Sequence, residues 1–348
     1  MGSYPGRRYR PGFRLGSFRR PLWRSLCRHG GRMSLSLIAD MGGTNVRFAL
    51  VDDAGIIGPD MVMQCADFAG PDDAARAFLA ARDGARPERG AFAVASPITG
   101  DMVEMTNSAW RFSVHHVQRQ LGLSSLRVVN DFTATALSVP HLGPSHLLKL
   151  GGAEPVAGAP IAVLGPGTGL GVSGLVMGGD GRWQALATEG GHVTMAATDD
   201  FEAAVLAQLR RRFGHVSAER VLSGPGLLNL YEAVAALQGS PASYSTAEAV
   251  SSHGLDGSCP LCRQALSLFF VMLGSVAGNL ALTLGARGGV YVAGGILPRM
   301  AQAFFASDFR RRFEAKGRFA GYLSAVPTWL VTHPEPAFAG LAALTSEG

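Results

Sequence analysis

Residues 40 to 45 form a short polar turn between two apolar segments, and their types suit contact with phosphate. The turn consists of Asp40, Met41, Gly42, Gly43, Thr44 and Asn45. Glycine allows positive backbone dihedral angles and lets peptide N–H groups approach an anion, and the threonine and asparagine side chains add hydrogen-bond donors. A bare phosphate would repel Asp40, so this carboxylate indicates a cation between the two groups. The alternative is an ordinary β-hairpin turn made of common turn residues.

A second turn of the same kind begins 125 residues after Asp40. It contains Gly165, Gly167, Thr168 and Gly169 and again lies between apolar segments, at 161–164 and 170–177. A strand, a Gly/Thr turn and a strand therefore occur twice, which predicts a duplicated α/β unit. Two such halves would close on a nucleotide, with one turn from each half touching its phosphates.

Other polar residues stand at the predicted ends of strands or in nearby loops, where open α/β sheets bind their ligands. Asn130 and Asp131 follow a predicted strand over 127–130, and Gly294 and Gly295 follow one over 289–293. The loop candidates are Asn107, Glu189 and His192 of the segment EGGH, and Glu219 of the segment SAER.

Four of these candidates also have a purely structural explanation. Asp131 could be the N-cap of a helix over 132–137. His192 could be a hydrogen-bonded core histidine, and Asn107 could cap a loop. Glu219 could be a charge on a helix face, paired with Arg220.

Taken in order, the segments resemble the bacterial glucokinase family of the actin-like sugar-kinase superfamily. The matching segments run from about residue 35 to the C-terminus and include SPITGDMVEMTN, VVNDFTA, GGAEP, GTGLGV, EGGHV, GHVSAERVLSGPGLLNLY, CRQALSLF, GGVYVAGGILPR and KGRF. The resemblance implies an α/β fold, namely an actin-like (ribonuclease H-like), duplicated two-domain sugar kinase with a cleft between the domains.

The resemblance also implies a role for each candidate. Asp131 would be the general base that takes the proton from the sugar 6-hydroxyl as this group attacks the γ-phosphoryl group of ATP. The sugar's other hydroxyls would be held by Asn130, Glu189, His192, Glu219 and Asn107. The two Gly/Thr turns would bind the ATP phosphates, and Gly294 and Gly295 would leave room for the adenine base. Asp40 would orient Mg²⁺, through water.

The expected activity is therefore ATP-dependent phosphorylation of D-glucose to glucose 6-phosphate, with ATP and Mg²⁺ as cofactors and glucose and ATP as partners. Two alternatives stay open at this point: a kinase for another hexose, such as mannose or fructose, and an actin-like or chaperone ATPase. The set of Asp131, Glu189, His192 and Glu219 favours a sugar kinase, because a filament or chaperone ATPase needs no ring of groups for sugar hydroxyls. The family also implies a homodimer.

Basic residues are concentrated at the N-terminus. Residues 1–32 contain nine arginines and no acidic residue, whereas the rest of the chain has 22 basic and 26 acidic residues. The high isoelectric point is therefore no argument for a nucleic-acid partner. We expect residues 1–32 to be a basic extension outside the fold; an organelle transit peptide and a phosphate-binding arm are the alternatives.

We expect a small α/β domain over 33–141 plus 333–348, and a large one over 142–332.

The cysteines and one apolar segment indicate the redox environment of the chain and whether it has a membrane partner. Four scattered cysteines, Cys27, Cys65, Cys259 and Cys262, fit a reducing cytoplasm better than a disulfide scaffold. Cys259 and Cys262 form a lone C-x-x-C with no second pair and no histidine cluster nearby, so we expect them to be ordinary thiols. A related sugar-kinase group carries a zinc cluster of closely spaced cysteines after its E-x-G-H segment, whereas His192 is followed by Val193, Thr194 and Met195, which argues against that group. The uncharged segment 264–286 approaches transmembrane length, but its weakly polar stripe predicts a buried helix and no membrane partner.

Hydrophobic periodicity predicts the remaining large elements. Helices are expected over 200–213, 224–237, 263–284 and 298–315. Residues 238–260 should form an irregular connection, and residues 141–160, which lack periodicity, should mark a boundary.

Overall fold

The computed structural model describes residues 34–106 and 108–346. The expectations for the basic extension 1–32, for the first residue of the small domain, residue 33, and for Asn107 lie outside these residues.

The first sheet is built from residues near the N-terminus. Its strands are β1 (Leu35–Met41), β2 (Asn45–Asp52), β3 (Met61–Gln64), β4 (Arg89–Val94) and β7 (Ser125–Asn130), in the order β3-β2-β1-β4-β7. β1, β4 and β7 are parallel, and β2 and β3 are antiparallel to their neighbours. A small separate hairpin pairs β5 (Met102–Glu104) with β6 (Arg111–Ser113).

The second sheet repeats the first. Its strands are β8 (Leu147–Gly151), β9 (Ile161–Pro166), β10 (Leu170–Met177), β11 (Trp183–Ala187), β12 (Gly289–Val292) and β13 (Thr328–Val331), in the order β11-β10-β9-β12-β13-β8. Counted from the first strand of each hairpin, both sheets have the order third, second, first, fourth, fifth, and β8 adds an edge strand to the second. The predicted duplicated α/β unit is therefore confirmed.

The helices fall into three layers. They are α1 (Pro71–Ala80), α2 (Val114–Leu121), α3 (Asp131–Ser138), α4 (Asp200–Phe213), α5 (Gly224–Leu237), α6 (Ala247–Leu255), α7 (Pro260–Leu284), α8 (Ala301–Phe305), α9 (Phe309–Glu314), α10 (Ala320–Ala325) and α11 (Pro336–Ser346). α1 and α2 cover the outer face of the first sheet, and α4 to α9 cover the outer face of the second.

α3 and α11 lie between the two sheets and join their cores. They share one apolar cluster with Ile38 and Ala93 of the first sheet and with Val163 of the second. The two helices cross closely, because a side chain at Gly340 would overlap the backbone oxygen of Ala134. α3 therefore carries the residues that follow β7 across to the second sheet, and this crossing positions the site.

α7 is the one helix of the described chain that is long and apolar enough to cross a membrane, yet 72% of its most apolar window is buried inside the protein. It forms the centre of the outer layer, as predicted. A Cβ atom at Gly278 would lie 2.6 Å from the Phe313 carbonyl oxygen, so the missing side chain lets α7 lie against α9.

The structure differs from the sequence predictions in three places. The helix expected over 298–315 is divided into α8 and α9, and at the break the Ser307 hydroxyl accepts a hydrogen bond from Phe309 N (3.3 Å). The break brings the rings of Phe304 and Phe309 to 4.7 Å in the core. The connection 238–260 contains α6, which Thr246 caps, and the boundary 141–160 contains β8, which is held by pairing with β13.

Candidate active site

The first Gly/Thr turn closes the β1–β2 hairpin, as predicted. β1 and β2 pair as far as Met41 and Val46, so the turn stands at the end of the first sheet. Gly42 N donates to Asn45 O (2.9 Å), which occupies one amide inside the turn. The Thr44 and Asn45 side chains are exposed, but the Met41 side chain is fully buried, so only the Met41 backbone faces the site.

The second turn closes the β9–β10 hairpin in the same way, with Gly167 N donating to Gly169 O (2.8 Å). None of Gly42, Gly165, Gly167 and Gly169 has a positive φ angle, so the positive dihedral angles considered for the first turn do not occur at Gly42. Close approach explains two of these glycines instead. A Cβ atom at Gly165 would lie 2.5 Å from the Ala293 oxygen, and one at Gly169 would overlap the Glu219 carboxylate.

The third turn, after β12, contains Gly294 and Gly295. Gly294 has a φ of 87°, and a Cβ atom there would lie 2.5 Å from the Pro166 carbonyl oxygen. A Cβ atom at Gly295 would meet no atom within 4 Å. This turn therefore packs its first glycine on the end of β9 and leaves open space at the second.

Asn130 and Asp131 mark the junction of β7 and α3. The Asn130 side-chain oxygen accepts hydrogen bonds from Phe132 N (2.8 Å) and Thr133 N (3.3 Å), so Asn130 is the N-cap. The N-cap alternative considered for Asp131 was therefore wrong by one residue. Asp131 is the first residue of α3, and one of its carboxylate oxygens also accepts from Phe132 N (2.8 Å).

Phe132 ties this junction to the second turn. A Cβ atom at Gly165 would lie 2.7 Å from Phe132 Cζ, and one at Gly171 would overlap the ring. The ring thus fills the space that two glycines of β9 and β10 leave free. Because Phe132 follows Asp131 directly, this contact fixes Asp131 relative to the second Gly/Thr turn.

The EGGH and SAER segments also meet at the second turn. Glu219 N donates to Gly191 O (2.9 Å), and Glu219 Oε2 accepts from Leu170 N (2.9 Å). Glu219 lies outside any helix, and the Arg220 guanidinium stacks over the Phe213 ring at 4.5 Å. The structure therefore places Glu219 against the turn, and not in a helix-face pair with Arg220.

His192 and Glu189 lie side by side at the surface of the site. The His192 Nε2 and Glu189 Oε2 atoms are 4.0 Å apart, and their side chains are 60% and 52% exposed. A core histidine would be enclosed, so that alternative is wrong for His192. Both side chains are open to a polar ligand.

Negative charge converges on this region. Burial raises the pKa of the Asp131 carboxyl, and the nearby Glu189 carboxylate raises it further. Burial also raises the pKa of Asp40 to about 6, with contributions from the Asp131 and Glu335 carboxylates, while Arg47 opposes the shift. The Asp131 carboxylate therefore lies within electrostatic reach of both Asp40 and Glu189.

Arg47 and Glu335 were not foreseen as part of this region. Arg47 is directly opposite Asp40 in the β1–β2 pairing, and its guanidinium forms an ion pair with Glu335, just before α11. The hairpin register could have identified Arg47, because a four-residue turn over 42–45 places residue 47 opposite residue 40. Glu335 is nearly 300 residues away in sequence, and only the packing of α11 brings it close.

The site suits a hard cation held together with an anionic ligand. No described residue donates a hydrogen bond to the Asp40 carboxylate, and its pKa is raised first by burial and then by the Asp131 and Glu335 carboxylates. In residues 34–106 and 108–346, no group of three or more His, Cys, Asp or Glu side chains could hold a metal ion. A cation at Asp40 would therefore need oxygen ligands from a bound phosphate or from water.

The Cys259 thiol caps α7 by accepting a hydrogen bond from Cys262 N (3.4 Å).

Comparison with known proteins agrees with this architecture. A family model described as Glucokinase matches residues 37–347. A glucokinase from Paramagnetospirillum magneticum is 61% identical over 312 residues, covering 89% of this chain and 97% of that protein. A glucokinase from Aromatoleum aromaticum is 49% identical over 308 residues, covering 88% and 93%.

Solved structures show the same relationship. The crystal structure of a glucokinase from an Antarctic psychrotroph is 38% identical, with a TM-score of 0.84, covering 91% of this chain and all of that one. A ROK family glucokinase from Streptomyces griseus, in complex with glucose and AMPPNP, has a TM-score of 0.60 at 18% identity and shows the fold alone. The fold class is the predicted actin-like sugar-kinase fold. The chain belongs to the glucokinase family.

Proposed function

We propose that this chain catalyses the ATP-dependent phosphorylation of D-glucose to glucose 6-phosphate, with Asp131 as the general base. One observation carries the assignment of the base: Asp131 begins α3 within electrostatic reach of Asp40 on the first turn and of Glu189 in the EGGH segment. A carboxylate whose pKa is raised by burial holds a proton more tightly, which suits a group that takes a proton from a hydroxyl. The proton of the sugar 6-hydroxyl passes to Asp131 as the oxygen attacks the γ-phosphorus, and ADP leaves.

We infer that the sugar lies between the N-terminus of α3 and the EGGH and SAER segments. Glu189 and His192 offer exposed polar groups, and Leu170 N binds one Glu219 oxygen and leaves the other for a hydroxyl. The Asn130 side-chain oxygen caps α3, and its amide nitrogen donates only a long hydrogen bond, of 3.5 Å, to Ser96 O. The nitrogen can therefore also donate to a sugar hydroxyl. Asn107 is proposed as a further contact from the sequence resemblance.

We infer that ATP lies across the two Gly/Thr turns, with its base near Gly294 and Gly295. Support comes from the exposed Thr44 and Thr168 side chains and from the open space at Gly295. Mg²⁺ bound to the phosphates would neutralise charge on the transferring group. Asp40 is the residue that would orient the cation, through water, because its carboxylate has no described hydrogen-bond donor. Arg47 forms its ion pair with Glu335 and acts on the Asp40 carboxylate as a nearby positive charge.

Three further proposals concern organisation. We propose two domains, 33–141 plus 333–348 and 142–332, which would hinge about the segments near 142 and 332. We also propose a homodimer in the cytoplasm. Free thiols at Cys65, Cys259 and Cys262 fit a reducing compartment. Light scattering on the purified chain tests the dimer, and a mass near 36.4 kDa would contradict it.

A coupled assay tests the activity and separates it from the two alternatives. The purified chain should form glucose 6-phosphate from glucose and MgATP, with a kcat/KM for glucose well above that for mannose or fructose. Preference for another hexose would keep the mechanism but reject glucose as the substrate. ATP hydrolysis without sugar phosphorylation would reject the sugar-kinase proposal.

A further inference from the structure

The end of β3 is bonded to the first Gly/Thr turn at three points. Gln64 Nε2 donates to the Asn45 side-chain oxygen at 2.6 Å. Cys65 N donates to Thr44 O at 2.8 Å, and the Cys65 thiol donates to Gly42 O at 3.6 Å. Within the turn itself, the one described backbone hydrogen bond runs from Gly42 N to Asn45 O, so the contacts from Gln64 and Cys65 add to it from outside.

Cys65 lies in the apolar core of the first sheet, with its thiol against the first Gly/Thr turn. Its side chain is 3% exposed, and it begins a short 3-10 helix directly after β3. A trans peptide is planar, and its C=O and N–H point in opposite directions. Holding Gly42 O towards Cys65 therefore directs the N–H of Gly43 away from β3 and towards the open side of the turn.

Gln64 acts from the exposed side of the same strand. It is directly opposite Asn45 in the β2–β3 pairing, so the two amide side chains lie on one face. The bond from Gln64 Nε2 holds the Asn45 oxygen, which leaves the Asn45 amide N–H₂ group facing outward as a donor. Both residues thus orient donors of the turn without standing in the turn themselves.

We propose that Gln64 and Cys65 are positioning residues for the phosphate-binding turn: they aim the Asn45 amide and the Gly43 N–H at the phosphates of ATP. The inference rests on the proposed function, because it requires the turn to bind MgATP. Removing either residue should weaken the binding of ATP while leaving the binding of glucose unchanged.

The test is steady-state kinetics on Gln64→Leu, Cys65→Ala and Cys65→Ser. We expect KM for ATP to rise about 3- to 10-fold in Gln64→Leu and in Cys65→Ala, the range that loss of one positioning hydrogen bond gives. Cys65→Ser keeps a donor of similar size and should restore KM for ATP to within about twofold of the wild-type value. KM for glucose should stay within about twofold in all three variants.

A matched control comes from the same half of the molecule. Gln118→Leu removes a side-chain bond to Ser124 O (3.0 Å), which tethers the loop after α2 and touches no part of the turn. Its KM for ATP should be unchanged. Equal KM values for ATP in Gln64→Leu and Gln118→Leu would overturn the inference, as would a parallel rise in the KM values for ATP and glucose. Because Gln64 is exposed, its variant keeps the test independent of any folding defect in Cys65→Ala.

Thr44→Val separates this inference from the proposed function. If Thr44→Val raises KM for ATP and the Gln64 and Cys65 variants do not, the turn binds ATP and only the positioning role is rejected. If Thr44→Val also leaves KM for ATP unchanged, the assignment of the turn to ATP is rejected as well.

Discussion

Replacing Gly171 with alanine should damage both stability and catalysis, because the Phe132 ring fills the space beside this glycine. A Cβ atom at Gly171 would lie 1.8 Å from Phe132 Cδ2. Carbon atoms in contact are about 3.5–4.0 Å apart, so the ring must move by about 1.5–2 Å or leave its site. Overpacking of this kind costs about 1–3 kcal/mol of unfolding free energy.

The displacement should also reach the chemistry. Phe132 is covalently joined to Asp131, and a misplacement of about 1 Å at a reacting group can lower the rate about 10²-fold. We therefore expect Gly171→Ala to lower kcat far more than its loss of stability explains. Urea denaturation measures the stability, and the coupled glucose 6-phosphate assay measures kcat.

Two comparisons make this prediction refutable. Gly321→Ala is the matched control, since a Cβ atom at this position in α10 meets no atom within 4 Å. The double variant Gly171→Ala with Phe132→Leu should be more stable than the sum of the two single changes predicts, by about 1 kcal/mol or more. If Gly171→Ala resembles Gly321→Ala in stability and kcat, or if the double variant is additive, the role assigned to the Phe132 contact is wrong.

Two further predictions concern buried charge. Glu202 has no exposed surface and forms an ion pair with Arg312 at 2.6 Å. Arg312→Met should therefore lower the free energy of unfolding, measured by urea denaturation, by about 3–5 kcal/mol, and adding Glu202→Leu should restore much of this loss. A double variant that is no more stable than Arg312→Met would contradict this prediction. Asp40→Asn should be more stable than wild type at pH 7 but lose activity, because a pKa raised from 3.8 to about 6 makes the carboxylate costly in the folded state. The loss of unfolding free energy from the charged Asp40 develops as the pH rises from about 4 to 6, so wild type and Asp40→Asn should have similar stabilities below pH 4. A stability difference that stays constant across this pH range would show that the raised pKa of Asp40 is not its cause.

The sequence predicted those parts of the fold that local pattern determines. α4 and α5 begin and end where the periodicity placed them, and the two hairpins with Gly/Thr turns are both present. β8 could not be predicted, because its five residues form a strand only by pairing with β13, almost two hundred residues later. At the break between α8 and α9, the hydrogen bond from Phe309 N to the Ser307 hydroxyl is local in sequence. The packing of Phe304 on Phe309, which stabilises the break, could not be predicted from the sequence.

The site also contains residues that local motifs predicted and residues that only tertiary packing brings together. The positions of Asp131, Glu189, His192 and Glu219 follow from motifs, and the structure brings them to one region. The positive φ angle considered for the first turn does not occur at Gly42, and the sequence did not show that close approach explains Gly165 and Gly169. Glu335 and Cys65 were missed, since each contacts the site only through tertiary packing and neither stands in a motif that carries chemistry.

The central claim is that Asp131 removes the proton from the sugar hydroxyl. The most direct test compares turnover and glucose binding in one preparation of Asp131→Ala, with kcat from the coupled assay and the dissociation constant from titration calorimetry. We predict that kcat falls by about 10²–10⁴-fold, the usual contribution of a general base, while the dissociation constant for glucose stays within about an order of magnitude. A kcat close to the wild-type value would remove Asp131 as the base and contradict the mechanism.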